Sequence, residues 1–141
     1  MARILGIDYG LQRVGVAISD ESNNSAFPRT TLQRTDDQSI IARLQTMCDT
    51  DDIGTIVLGL PLDQHGEEGP MAQTVRAFGV ALSQATGVHV AYQDERLTSR
   101  LSTQLLHGAG RSARQQRGGQ TDAIAAQQIL QTYLDRCHES A

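Results

Sequence analysis

Asp8 closes a segment that otherwise reads as a buried strand: Ile4, Leu5 and Ile7 precede it and Gly10 follows. Strands disfavour Asp and apolar neighbours predict burial, so this carboxylate asks for a chemical role. Two more acidic positions fall at element boundaries. Asp94-Glu95 ends a short apolar strand pattern. Asp122 opens the last helical pattern, where Ala123, Ala125 and Ala126 would let a first turn approach a sheet closely. Carboxylates drawn together repel one another unless a cation neutralises them, and hard oxygen ligands favour Mg²⁺ or Mn²⁺ over zinc. A cluster holding two such ions suits in-line displacement at phosphorus, one ion activating water and the other stabilising the leaving oxygen. Arginines nearby would grip the phosphodiester. Plain structural roles stay open beside this one. Asp122 suits the first turn of a helix through the helix dipole, and Asp94 suits a helix cap.

The chain has 141 residues, 39% of them apolar, which fits one domain with a real core. No apolar run approaches the roughly 18 residues of a membrane span, and the acid at position 8 comes too early for a signal peptide. Cys48 and Cys137 form no CxxC pair, which points away from a disulfide framework or a zinc site and toward a reducing cytoplasm. The net charge of −4 is unevenly spread. All 12 basic residues are Arg, and Arg96, Arg100, Arg111, Arg114 and Arg117 lie in a stretch (96–121) without Asp or Glu. Seven Arg then face 16 acids in the remainder. An acidic body with one basic segment is an electrostatic footprint for phosphate binding, although a solvated basic loop has the same composition.

The elements that must position these groups follow from periodicity. Strands are expected at 3–9, 13–19 and about 27–33, joined by short turns as an antiparallel meander. A helix over 36–49 has Asp36 or Asp37 as N-cap, with Ile40, Ile41, Leu44 and Met47 at helical spacing. The nearly continuous apolar run 53–60 reads as a strand covered on both faces. A helix over 70–86, a strand over 88–93 and helices at 98–107 and 120–136 complete the order, with an Arg/Gly-rich loop at 108–119. A meander followed by alternating helices and strands predicts an α/β fold, a mixed sheet flanked by helices. If strands 1, 4 and 5 are parallel neighbours, their C-terminal ends share one edge, where Asp8 and Glu95 converge and Asp122 reaches them.

Other groups offer less. The four His residues share no metal-ligand spacing, and Thr98 and Ser99 lack a His partner. Gly59-Leu60-Pro61 either brings backbone close to a substrate or only ends a strand.

Four motifs, in order along nearly the whole chain, resemble the YqgF family, also called RuvX: bacterial RNase H-like proteins regarded as candidate Holliday junction resolvases or pre-16S rRNA nucleases. They are Asp8-Tyr-Gly-Leu-Gln-Arg-Val-Gly-Val-Ala17, Val57-Leu-Gly-Leu-Pro-Leu62 with Gly66, Asp94-Glu-Arg-Leu-Thr-Ser99, and Asp122-x-x-Ala-Ala126 with Ile129-Leu130. The resemblance implies an RNase H-like five-stranded sheet of order 3-2-1-4-5 with strand 2 antiparallel to the rest. It also implies Asp8, Glu95 and Asp122 as catalytic, metal-holding acids, with Asp94 as an additional candidate ligand and two Mg²⁺ or Mn²⁺ ions. Arg13, Arg96, Arg100, Arg111, Arg114 and Arg117 become the candidate nucleic-acid contacts. Gln12 departs from the Lys more usual in the family, which removes one charge beside Arg13, and Thr121 replaces a usually apolar residue.

The substrate that this resemblance favours is precursor 16S rRNA at its 5′ end, within ribosomal particles, handled by a monomer or weak homodimer. Resolution of branched DNA is the alternative, since paired nicks favour a symmetric dimer. A non-catalytic, ribosome-associated binding module is a further reading. Asp8-x-Gly-x-x-x-x-Gly15 also resembles the first phosphate loop of actin- and hexokinase-like proteins, but the second loop and second domain those proteins use are missing.

Overall fold

Val-, Ile- and Leu-rich segments bounded by turn residues become five strands in the computed structural model, which describes residues 2–95 and 119–140. In chain order the elements are β1 (Arg3–Tyr9), β2 (Arg13–Ser19), β3 (Ala26–Gln33), α1 (Asp37–Asp51), β4 (Ile53–Leu60), α2 (Pro70–Thr86), β5 (His89–Asp94) and α3 (Gly119–Ser140). Four of the expected elements coincide with these ranges, and the others shift by one to four residues at their ends. Gly119, expected in a loop, is already helical. The expected helix at 98–107 and the remaining Arg/Gly segment lie outside the described residues.

The strands form one sheet in the order β3-β2-β1-β4-β5. β2 runs antiparallel to β1 and β3, while β1, β4 and β5 are parallel. This is the order and direction that the resemblance implies. Asp36 caps α1 by accepting the Ser39 N–H at 2.7 Å, which selects it over Asp37. Gly87, at φ 71°, closes α2 in the left-handed conformation and donates its N–H to the Ser83 carbonyl at 2.8 Å. No helix among the described residues is long and apolar enough to cross a membrane.

The two faces of the sheet are packed differently. Leu5, Ile7, Val16, Ile56 and Leu58 point toward α1 and α2 and form the larger core with Ile40, Leu44, Phe78 and Leu82. The opposite face carries small residues at alternate strand positions, among them Gly6, Gly15, Ala17 and Gly59, and α3 lies on it through Ala126, Ile129, Leu130 and Leu134. A Cβ on Gly6 would sit 2.6 Å from the Leu130 Cβ, and one on Gly15 would run into the backbone carbonyl of Asp122. The helix therefore rides on bare backbone over β1 and β2. Two glutamines pin it to the sheet edge: Gln131 accepts the Ala26 N–H and Gln127 donates to the Ala26 carbonyl, each at 2.9 Å.

Gly15→Ala is therefore expected to destabilise the protein by about 1–3 kcal/mol in urea denaturation, because neither colliding backbone can yield cheaply. Gly69→Ala, with nothing within 4 Å of the added methyl, is the control. It should change stability by less than about 0.5 kcal/mol.

Candidate active site

Strand periodicity sends Ile4, Gly6 and Asp8 to the face covered by α3, and Asp8 lies directly opposite Gly15 of β2. Parallel pairing carries the same edge across the sheet, with Ile7 beside Leu58 and Leu60 beside Asp94. Glu95 follows at once after Asp94, the last residue of β5. The Glu95 side chain lies back over β4 toward β1. Only a glycine allows this path, since a Cβ on Gly59 would stand 2.5 Å from Glu95 Oε1 and 2.5 Å from Ile129 Cδ1.

Asp8 and Glu95 meet there in a side-chain hydrogen bond. Burial raises the Asp8 carboxyl above its ordinary range; the bond from Glu95 opposes this and the nearby charge of Asp122 adds to it. Burial also raises Glu95, reinforced by the charge of Asp8, by their hydrogen bond and by Asp94, up to about 8. The pair thus shares a tightly held proton, and the two carboxyls titrate together.

Asp122 sits in the first turn of α3, as its sequence position suggests, close enough for its charge to act on Asp8. Its carboxylate, however, accepts from Arg13 Nε at 2.7 Å in a partly buried ion pair. Arg13 lies two residues before Gly15 on β2, on the same face. Among the described residues no three His, Cys, Asp or Glu side chains stand close enough to hold a metal ion together. The structure therefore joins two of the three expected acids and gives the third a guanidinium as its counter-charge. The expected phosphate contact Arg13 is engaged with Asp122, and Arg96, Arg100, Arg111, Arg114 and Arg117 lie outside the described residues.

Sequence reasoning missed two contributions. Gly15 and Gly59 make the clearances that set Asp122 and Glu95, and their signal was a glycine at alternate positions on the acid-bearing face. The second is an anchor for the β1–β2 turn. Arg34 supplies it: its Nε donates to Asp37 at 2.8 Å and to the Tyr9 hydroxyl at 3.2 Å, and its Nη1 to the Leu11 carbonyl at 3.2 Å. Its backbone N–H reaches the Gln12 carbonyl at 2.9 Å. The turn after Asp8 is held from below.

The Asp8–Glu95 pair fits a divalent cation. It offers hard oxygen donors from two carboxyl groups in contact, and the proton between them is one that a cation displaces. The raised Glu95 pKa has a direct consequence in metal-free protein. The folded state binds this proton more tightly than the unfolded chain, so its contribution is fully present below the ordinary value of 4.5 and is lost as pH rises toward about 8. Glu95→Gln removes the titration. In EDTA, its stability relative to the unsubstituted protein should therefore rise by on the order of 4 kcal/mol between pH 5 and pH 8.5, measured by chemical denaturation. A flat difference would refute the shared proton.

The RuvX family model, described as Holliday junction resolvase, matches residues 2–136. A protein of Endomicrobium trichonymphae, named as a candidate pre-16S rRNA nuclease, is 39% identical over 135 residues, 96% of each chain. One of Anaeromyxobacter dehalogenans with the same name is 42% identical over 134 residues, covering 95% of this chain and 97% of the relative. Among solved structures, Thermus thermophilus RuvC in complex with Holliday junction substrate superposes with a TM-score of 0.62 at 13% identity, covering 100% of this chain and 98% of that one. The fowlpox virus Holliday junction resolvase does so with a TM-score of 0.55 at 12% identity, covering 95% and 99%. At such identities these two likenesses speak for the fold, which is the RNase H-like one. Sequence similarity along almost the entire length carries the further conclusion: the chain belongs to the RuvX family.

Proposed function

We propose that this chain is a divalent-metal-dependent nuclease that hydrolyses phosphodiester bonds in the 5′-end maturation of precursor 16S rRNA. The observation that carries the chemistry is the Asp8–Glu95 pair, two carboxyls sharing a proton at the C-terminal edge of the parallel strands, with Asp122 within electrostatic reach. The choice of substrate is supported by the names of relatives 39–42% identical over nearly the whole chain.

In this reading Asp8 and Glu95 hold Mg²⁺ or Mn²⁺, and Asp122, with Asp94 beside Glu95, completes the donors for two ions. Bound there, the ions supply an activated water and neutralise the leaving oxygen of an in-line displacement. The protein's own groups do the rest. Asp8, on a strand packed on both faces, fixes where the nucleophile is presented. Glu95 gives up its proton as the site loads, and the fixed β1–β2 turn bounds one side. Arg13 and the arginines at 96, 100, 111, 114 and 117 neutralise and orient the phosphate backbone. The remaining features are proposed with it: a single domain, a cytoplasmic setting, precursor rRNA within a ribosomal particle as partner, and action as a monomer or weak homodimer.

The test offers 5′-extended precursor 16S rRNA, single-stranded nucleic acid and a four-way DNA junction to the purified protein with Mn²⁺, Mg²⁺ or EDTA. Cleavage of the precursor is expected with either metal and none in EDTA. Asp8→Asn should lower the rate by about 100-fold or more, the equivalent of roughly 2.7 kcal/mol of transition-state stabilisation. Preferential cleavage of the junction would instead assign resolution of branched DNA, the activity in the family model's description. Cleavage unchanged by Asp8→Asn would remove Asp8 from the chemistry. Nucleic-acid binding without any cleavage would make the protein a binding module.

A further inference from the structure

Arg13 and Asp122 are 109 positions apart, yet each is fixed before the side chains meet. Arg13 belongs to a strand paired on both sides, to β1 and to β3. Asp122 belongs to the helical turn whose carbonyl lies against Gly15, where no side chain leaves slack. The ion pair between them, 2.7 Å from Nε to Oδ2, is only 32% and 24% exposed at its two side chains. It is thus better defined than a pair of long side chains meeting in water. The proposed roles of these two residues conflict with it. The bond ties one Asp122 oxygen to one Arg13 N–H and sets a positive charge against the carboxylate, so a cation or a phosphate that recruits either group competes with this pairing.

We infer that Arg13 is a positioning residue that holds Asp122 apart from the Asp8–Glu95 pair, so that a divalent cation competes with the guanidinium for the third carboxylate. This rests on the metal-dependent reading above and adds a residue that works against metal loading. A guanidinium keeps its charge at any pH the protein survives, so the competition is one of position and not of protonation. Removing Arg13 frees an anion beside the cation site, and binding tightens. The effect runs through Asp122 and disappears when Asp122 carries no charge.

The experiment is a double-mutant cycle on Mn²⁺ binding without nucleic acid, read by isothermal titration calorimetry on the full chain. The variants are Arg13→Gln, Asp122→Asn and the double substitution, with circular dichroism melts to establish folding. Arg13→Gln is expected to lower the Mn²⁺ Kd about fivefold in the native background and by less than about twofold in the Asp122→Asn background. Arg13→Lys keeps the charge but loses the planar donor, so it should give a smaller tightening and serves if the Gln variant does not fold. An unchanged or weakened affinity in the native background would overturn the inference. So would equal tightening in both backgrounds, since Arg13 would then act only through the general field. In these cases metal binding itself still stands. Absence of Mn²⁺ binding by the unsubstituted protein would overturn the metal-dependent reading and this inference together.

Discussion

The carboxyl groups of Asp8 and Glu95 meet in a partly buried corner where two full charges would repel each other and both would lose water. Asp8 stands at the end of a strand whose neighbours on the other face are core residues, and it cannot move aside. Glu95 reaches it only across the bare backbone of Gly59. A proton is what makes this contact tolerable, and it is held well above the usual carboxyl range. The surrounding sheet is the scaffold that makes the contact hold.

That scaffold works because its two faces do different jobs. The face under α1 and α2 buries large aliphatic side chains and the Tyr9–Phe78 ring pair, with centroids 4.4 Å apart. Removal of such groups from water is the main favourable term in folding. The face under α3 is stripped of bulk at Gly6, Gly15 and Gly59, and it yields less apolar burial per position. What it gains is closeness. An α-helix normally lies about 10 Å from the surface it covers because side chains intervene. Here the first turn of α3 is brought against strand backbone, and Asp122 arrives within electrostatic reach of Asp8 while paired with Arg13. Stability comes mostly from one face and geometry from the other.

Much of this was legible in the sequence, for physical reasons that differ by element. β1, β2, β4 and α2 have sharp ends because apolar runs meet glycine, proline or polar turns, and their ranges follow from period alone. Asp8 stood out because a carboxylate in an apolar strand contradicts the local preference. The order of strands rested on a resemblance as well as on pattern, since pairing is set by contacts between distant segments. The partner of Asp122 was not legible at all. Arg13 entered as a nucleic-acid contact through the resemblance, and nothing local announces an ion pair with a residue 109 positions away. Gly15 and Gly59 were visible as letters but not as clearances, because the body that fills the space above each comes from another part of the chain.

The acids are neutralised in two different ways, and the difference governs how the site can respond. Between Asp8 and Glu95 the neutralising charge is a proton, which water takes away as pH rises and which needs no movement of the chain. At Asp122 it is the guanidinium of Arg13, which does not deprotonate and can leave only if a side chain turns. The first arrangement yields to pH and to any cation that reaches the pair. The second yields only to a competitor strong enough to break a partly buried ion pair between two fixed elements. In the proposed reading a small, doubly charged cation competes at both places, because it carries twice the charge of a proton or a guanidinium and takes several hard oxygen ligands at once. The two kinds of neutralisation thus depend on residues that lie far apart in the chain, Asp8 and Arg13 near its start and Glu95 and Asp122 much later.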